Sequence, residues 1–188
     1  MDELDQVPWQ QLPHAYGTGK ASSGAPHTDV EGALRGLLDG DPEVLELAYE
    51  VLGSSIFHQG TIYEVTPHAV PFLAAFAAGV DVPRRSLWEV LTLLGEIAIS
   101  SCHETESECQ AGAFGPDVAP STRAAFQGSK DYFAALVARD ASFSSLVEWM
   151  LRVTATPSPT QDEVEQLRAA LEATLEKGNE AAEQEGWD

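Results

Sequence analysis

From Val30 the apolar residues recur at Ala33, Leu34, Leu37 and Leu38, the i, i+3, i+4, i+7, i+8 spacing of one helical face. Asp29 stands at the N-cap position and Gly40 reads as the stop. A second helix follows at once. Asp41 can cap it, Pro42 suits its first turn, Val44, Leu45, Ala48, Val51 and Leu52 form its face, and Gly53 reads as its end. So short a connection predicts antiparallel packing of the two.

Ser54 to Thr66 breaks this period, and Pro67 to Ala78 resumes it. A proline inside a helix costs about 3 kcal/mol, so the expected start is near Ala69, with Pro71 in the first turn. A fourth helix, Pro83 to Ser100, is apolar on two faces and reads as the central one: Leu87, Val90, Leu91, Leu94, Ile97 and Ala98 on one, Trp88, Leu93 and Ile99 on another. Ser101 to Ser121 carries no period and reads as a long loop. One helix is expected over Thr122 to Ala138 and another over Phe143 to Val153. After Thr156-Pro157-Ser158-Pro159, the pair Thr160 and Glu163 forms a capping box ahead of Val164, Leu167, Leu171 and Leu175.

No strand-like alternation of useful length interrupts this pattern. The fold expected is all-α, either an α-solenoid of two-helix units or an irregular bundle of antiparallel helix pairs. Residues 1–153 form the helical domain, 154–159 a linker, and 160–186 an acidic C-terminal helix packing on that domain or extending it. Before the first helix, Trp9, Leu12 and Tyr16 are apolar anchors, and Gly17 to Pro26 reads as a mobile loop. Trp9, Tyr16, Trp88 and Trp149 are expected in the core, whereas Trp187 has no obvious core to join.

Charge changes the picture more than any motif. The chain has 30 Asp and Glu against 10 Lys and Arg, a net charge of −20, and a pI near 4.3. Direct nucleic-acid binding needs clustered cations, and the only adjacent basic pair is Arg84-Arg85. An anionic membrane surface repels such a chain. Its field favours a basic protein partner. The N-terminus carries acids where a secretory signal would carry cations, and the longest apolar run, Ala69 to Val80, is too short to span a bilayer. With two cysteines, Cys102 and Cys109, the expected location is the reducing cytoplasm.

Candidate chemistry is sparse. Cys102, His103 and Cys109 lie among Glu104, Glu106 and Glu108, but the spacing fits no standard zinc knuckle, so no metal or other cofactor is expected. His14, His58, His68 and Glu64 could pair as acids and bases, yet no nucleophile elbow, phosphate loop or His-Glu-x-x-His pattern supports them. In His58-Gln59-Gly60-Thr61 the polar groups are expected to serve a turn, with Gly60 supplying a positive φ.

Two segments, Val7-Pro-Trp-Gln-Gln-Leu-Pro-His-Ala-Tyr-Gly17 and Ile56-Phe-His-Gln-Gly-Thr-Ile-Tyr63 leading into Thr66-Pro-His-Ala-Val-Pro-Phe-Leu73, resemble HEAT-repeat-like proteins common in actinobacteria. The likeness covers Val7 to Leu94, is weaker from Thr122 to Val153, and stops short of the final helix. It implies a HEAT-like helical scaffold without catalytic residues, and some such proteins look like immunity proteins encoded beside secreted toxins.

The function expected is therefore non-catalytic protein binding: an immunity protein that covers the basic active cleft of a nucleic-acid-acting toxin with acidic surface. Glu104, Glu106, Glu108 and Asp117 on the long loop form one expected contact patch, and Asp162, Glu165, Glu172 and Glu176 a second. The alternatives are a general interaction adaptor and, further off, an enzyme using His58 or His103.

Overall fold

In the computed structural model, which describes residues 3–18, 28–38, 41–102 and 117–184, the chain is mostly helical. Eight α-helices are present among the described residues: α1 (Val30–Gly36), α2 (Pro42–Ser55), α3 (Thr66–Ala78), α4 (Arg84–Ser100), α5 (Val118–Gly128), α6 (Lys130–Arg139), α7 (Ser144–Thr154) and α8 (Gln161–Gln184). Short 3-10 turns occur at Leu4–Gln6, Trp9–Gln11 and Ala141–Phe143. No helix among the described residues is long and apolar enough to cross a membrane.

Helices α1, α2 and α8 begin where a side chain satisfies one or more of their first N–H groups. Asp29 accepts from the Gly32 N–H, and Asp41 from those of Glu43 and Val44. At α8 the capping box closes reciprocally: Thr160 N–H donates to Glu163 Oε2 at 2.9 Å and Glu163 N–H to Thr160 Oγ1 at 3.2 Å. The ends differ from expectation. Helix α1 stops at Gly36, and Gly40 lies outside the described residues. Helix α2 continues through Gly53, since a lone glycine weakens a helix without ending it.

Two further boundaries are corrected. Helix α3 begins at Thr66 and keeps Pro71 inside it. Thr66 anchors that early start: its Oγ1 accepts from the Tyr63 N–H and donates to the Ile56 carbonyl, while the Val65 carbonyl accepts from His68 and Ala69. Pro71 then forgoes one backbone bond, to the Pro67 carbonyl. The single helix expected over Thr122 to Ala138 is two. Helix α5 starts earlier, with Pro120 in its first turn, and stops at Gly128. Ser129, at φ −95 and ψ 11, separates it from α6. That bend lets Phe126 and Phe133 stack with centroids 6.0 Å apart and planes 7° from parallel.

Helix α1 packs on α2, and α3 on α4, α5 and α6. Helix α4 touches α2, α3, α5, α7 and α8, because its apolar residues run around most of its circumference. Leu167 and Leu171 of α8 are buried, with α8 lying against α4 and α7. The fit is close at two glycines. A Cβ at Gly95 would stand 2.8 Å from Leu171 Cδ1, and one at Gly178 only 2.1 Å from Trp88 Cε3. Trp9 and Trp88 are buried and Trp149 half-buried, but Tyr16 is 51% exposed, against expectation. Trp187 lies outside the described residues.

Candidate functional site

Two small hairpins, too short for a sequence alternation to reveal, organise the amino-terminal side. Strand β1 (Pro13–His14) pairs with β2 (Gly17–Thr18), in the first part of the segment read as a loop. Strand β3 (Phe57–His58) pairs with β4 (Thr61–Ile62). In the second hairpin the two loop residues, Gln59 and Gly60, both have positive φ (50 and 82), as a type I′ turn requires. The hairpins tie together the two segments of Val7–Gly17 and Ile56–Leu73. Ala15 N–H donates to the Ser55 carbonyl at 3.0 Å and Val65 N–H to that of Pro13 at 3.1 Å. Trp9 packs on Phe72 with ring centroids 5.8 Å apart.

This junction sorts the four candidate acid and base residues into two groups. His14 and His58 flank Tyr16, whose ring lies 6.4 Å from the first and 5.9 Å from the second. His14 is buried, and its Nδ1 accepts from the Tyr16 N–H at 3.2 Å, so its neutral form carries the proton on Nε2. Glu64 and His68 instead line a separate depression of about 570 Å³ with Leu12, Pro67 and Asp117.

The eight expected partner-contacting carboxylates divide as well. Glu104, Glu106 and Glu108 lie outside the described residues, as do His103 and Cys109. Asp117 is exposed at the start of α5. Asp162, Glu165, Glu172 and Glu176 are all exposed on α8. At 3.6 residues per turn these four fall within an arc of about 80°, on the side opposite Val164, Leu167, Leu171 and Gly178. They form one outward stripe about 21 Å long, at a rise of about 1.5 Å per residue. Arg168 stands 4.0 Å from Glu165. Glu163, on another side of α8, is bound to Arg152 of α7 at 3.1 Å and belongs to the packing.

Glu163 therefore sets a pH dependence. The Thr160 N–H foremost, then Arg152, hold its carboxyl below the ordinary glutamate value. A carboxyl depressed in the folded state stabilises fully above its unfolded pKa, and that contribution is lost as pH falls through the folded pKa. Glu163→Gln is expected to lower the urea midpoint at neutral pH, and the gap from the native protein to close as the pH falls through the carboxylate range. A gap that persists unchanged in acid would contradict this origin.

Sequence reasoning missed Arg123. It is buried in α5 and its guanidinium donates to the Ser101 carbonyl, at the C-terminal end of α4, where a cation suits the helix dipole. An arginine on an otherwise apolar helix face was the available signal. Beside it, Cys102 is half-buried and its Sγ donates to the Ala98 carbonyl at 3.1 Å. Burial pushes its thiol up, against the hydrogen bond from Ser101 and the charge of Arg123, which disfavours the reactive thiolate. Among the described residues no group of three or more His, Cys, Asp or Glu is gathered to hold a metal ion.

No family profile, no curated protein and no solved structure matches the chain.

Proposed function

We propose that the protein is a non-catalytic binder of a basic protein, making contact through the carboxylate stripe of α8. The observation that carries this reading is the convergence of Asp162, Glu165, Glu172 and Glu176 on the outward side of a helix whose opposite side is buried. Such a stripe, on a chain of net charge −20, attracts a cationic surface and speeds its encounter. The scaffold suits a HEAT-like irregular bundle built around α4 better than an open stack, in which each unit touches only its neighbours.

The narrower identity proposed is an immunity protein that covers the active cleft of a nucleic-acid-acting toxin. Clefts that bind phosphate backbones are cationic, and the likeness of the two hairpin-bearing segments to HEAT-repeat-like proteins supports the same reading. A general adaptor would share the scaffold, but the stripe of exposed acids along α8 favours a cationic partner. The test is affinity purification from extract of the native host, with each captured protein then expressed in the presence and absence of this chain. The reading expects a basic protein, released by salt, whose toxicity the chain suppresses. Capture of a neutral partner, held independently of salt, would refute it.

A further inference from the structure

Three exposed apolar side chains from separate elements meet at one groove. Leu38 follows α1 and is 59% exposed, Val80 lies between α3 and α4 at 82%, and Tyr132 of α6 stands at 41%. They rim a depression of about 500 Å³ floored by Leu34, Leu37 and Phe76. Isolated surface apolar residues need no explanation, but a contiguous patch over a pocket is the anatomy of an anchor site.

The charges around the groove select its occupant. Among the described residues, Glu3 and Asp81 are the charged ones that line it, and both are exposed. Arg35, next in sequence to the floor residue Leu34, binds both Asp5 and Glu31, so two carboxylates offset one guanidinium. Arg84, next in sequence to the lining residue Pro83, lies over the Trp88 ring at 5.4 Å, and Arg139 donates to the Ala77 carbonyl at 2.9 Å. A second copy would bring its own charge of −20 against the same face.

We infer that this groove takes apolar side chains from a lysine- or arginine-rich amphipathic segment of a protein partner. The inference shares with the proposed function only the cationic character of that partner, and it assigns a surface distinct from the α8 stripe. Apolar anchors supply affinity there, while Glu3 and Asp81 meet the flanking cations.

The test uses two fluorescently labelled synthetic helices of equal length and equal positive charge, one with leucine along a single face and one with serine in those places. Each is titrated against the full chain by anisotropy at low and high salt. The leucine helix is expected to bind about tenfold or more tightly than the serine helix, the effect of burying one or two apolar side chains. That preference should disappear in Leu38→Ser and Val80→Ser, which alter exposed positions, and survive in Leu47→Ser, an exposed apolar residue of α2 outside the groove. Equal binding of both helices, weakened by salt and indifferent to these substitutions, would overturn the groove while leaving the cationic partner standing. Failure of either helix to bind would count against both. A dimer in sedimentation analysis, dissolved by the same groove substitutions, would also overturn the assignment, because the occupant would then be a second copy.

Discussion

Phe126→Ala is expected to destabilise the protein by about 3–5 kcal/mol, the range for truncating a fully buried phenylalanine. The ring has no solvent exposure, stacks on Phe133, and sits in α5 where that helix packs against α3 and α7. Removing it takes apolar area from the core and leaves a cavity between helices that cannot close without moving the bend at Ser129. Typical domains have only about 5–15 kcal/mol of stability, so the loss is a large share of the total. At about 2–4 °C per kcal/mol for a chain of this size, the melting midpoint should fall by roughly 10 °C. By contrast Leu47→Ala, at an exposed site on α2, should stay within about 0.5 kcal/mol. A Phe126→Ala protein melting within a degree or two of the native one would show that the stacked pair does not hold α5 and α6 to the bundle.

Removing the charges of Asp162, Glu165, Glu172 and Glu176 together, as Asn and Gln, is expected to have the largest functional effect. All four are exposed, so the fold should keep its stability. Electrostatic steering acts chiefly on association, so the rate constant for the basic partner should drop about tenfold at low salt. Its dependence on ionic strength should flatten, because fewer fixed charges remain to be screened. The same number of neutralised carboxylates on α2, at Glu43, Glu46 and Glu50 with Asp41, provides the control. Equal loss from the two sets would mean that net charge alone steers the encounter and that the α8 stripe is not the contact.

Much of the helical pattern was legible because capping chemistry is local. Asp29, Asp41 with Pro42, and the Thr160 and Glu163 box all do what their spacing predicts. The two-faced apolar pattern of α4 likewise announced its central place among the helices. What failed was decided by partners distant in sequence. Thr66 holds α3 open to an early start through the Ile56 carbonyl, overriding the cost of Pro71. Nothing in the local period of Thr122 to Ala138 shows that Phe126 must turn to meet Phe133. The hairpins escaped because strands of two residues have no alternation, although Gln59-Gly60 carried the positive-φ signature of their loop.

The candidate site was legible to a similar depth. The spacing of the α8 acids already places them on one stripe, since helical geometry fixes faces from residue numbers alone. That the stripe points outward depends on Leu167 and Leu171 packing toward α4 and α7, a tertiary fact. The apolar groove was illegible for the same reason: Leu38, Val80 and Tyr132 are far apart in sequence and meet only when α1, α3 and α6 converge. Tyr16, expected in the core, stands half in solvent because its hairpin places it between two histidines at the surface junction.

The most direct test is zero-length carbodiimide cross-linking of the complex captured from host extract, which joins a carboxylate to a lysine amine in contact with it. Peptide mapping should locate the joined residues at Asp162, Glu165, Glu172 or Glu176. Cross-links confined to acids elsewhere on the chain, with the α8 stripe unmodified by the partner, would contradict the central claim.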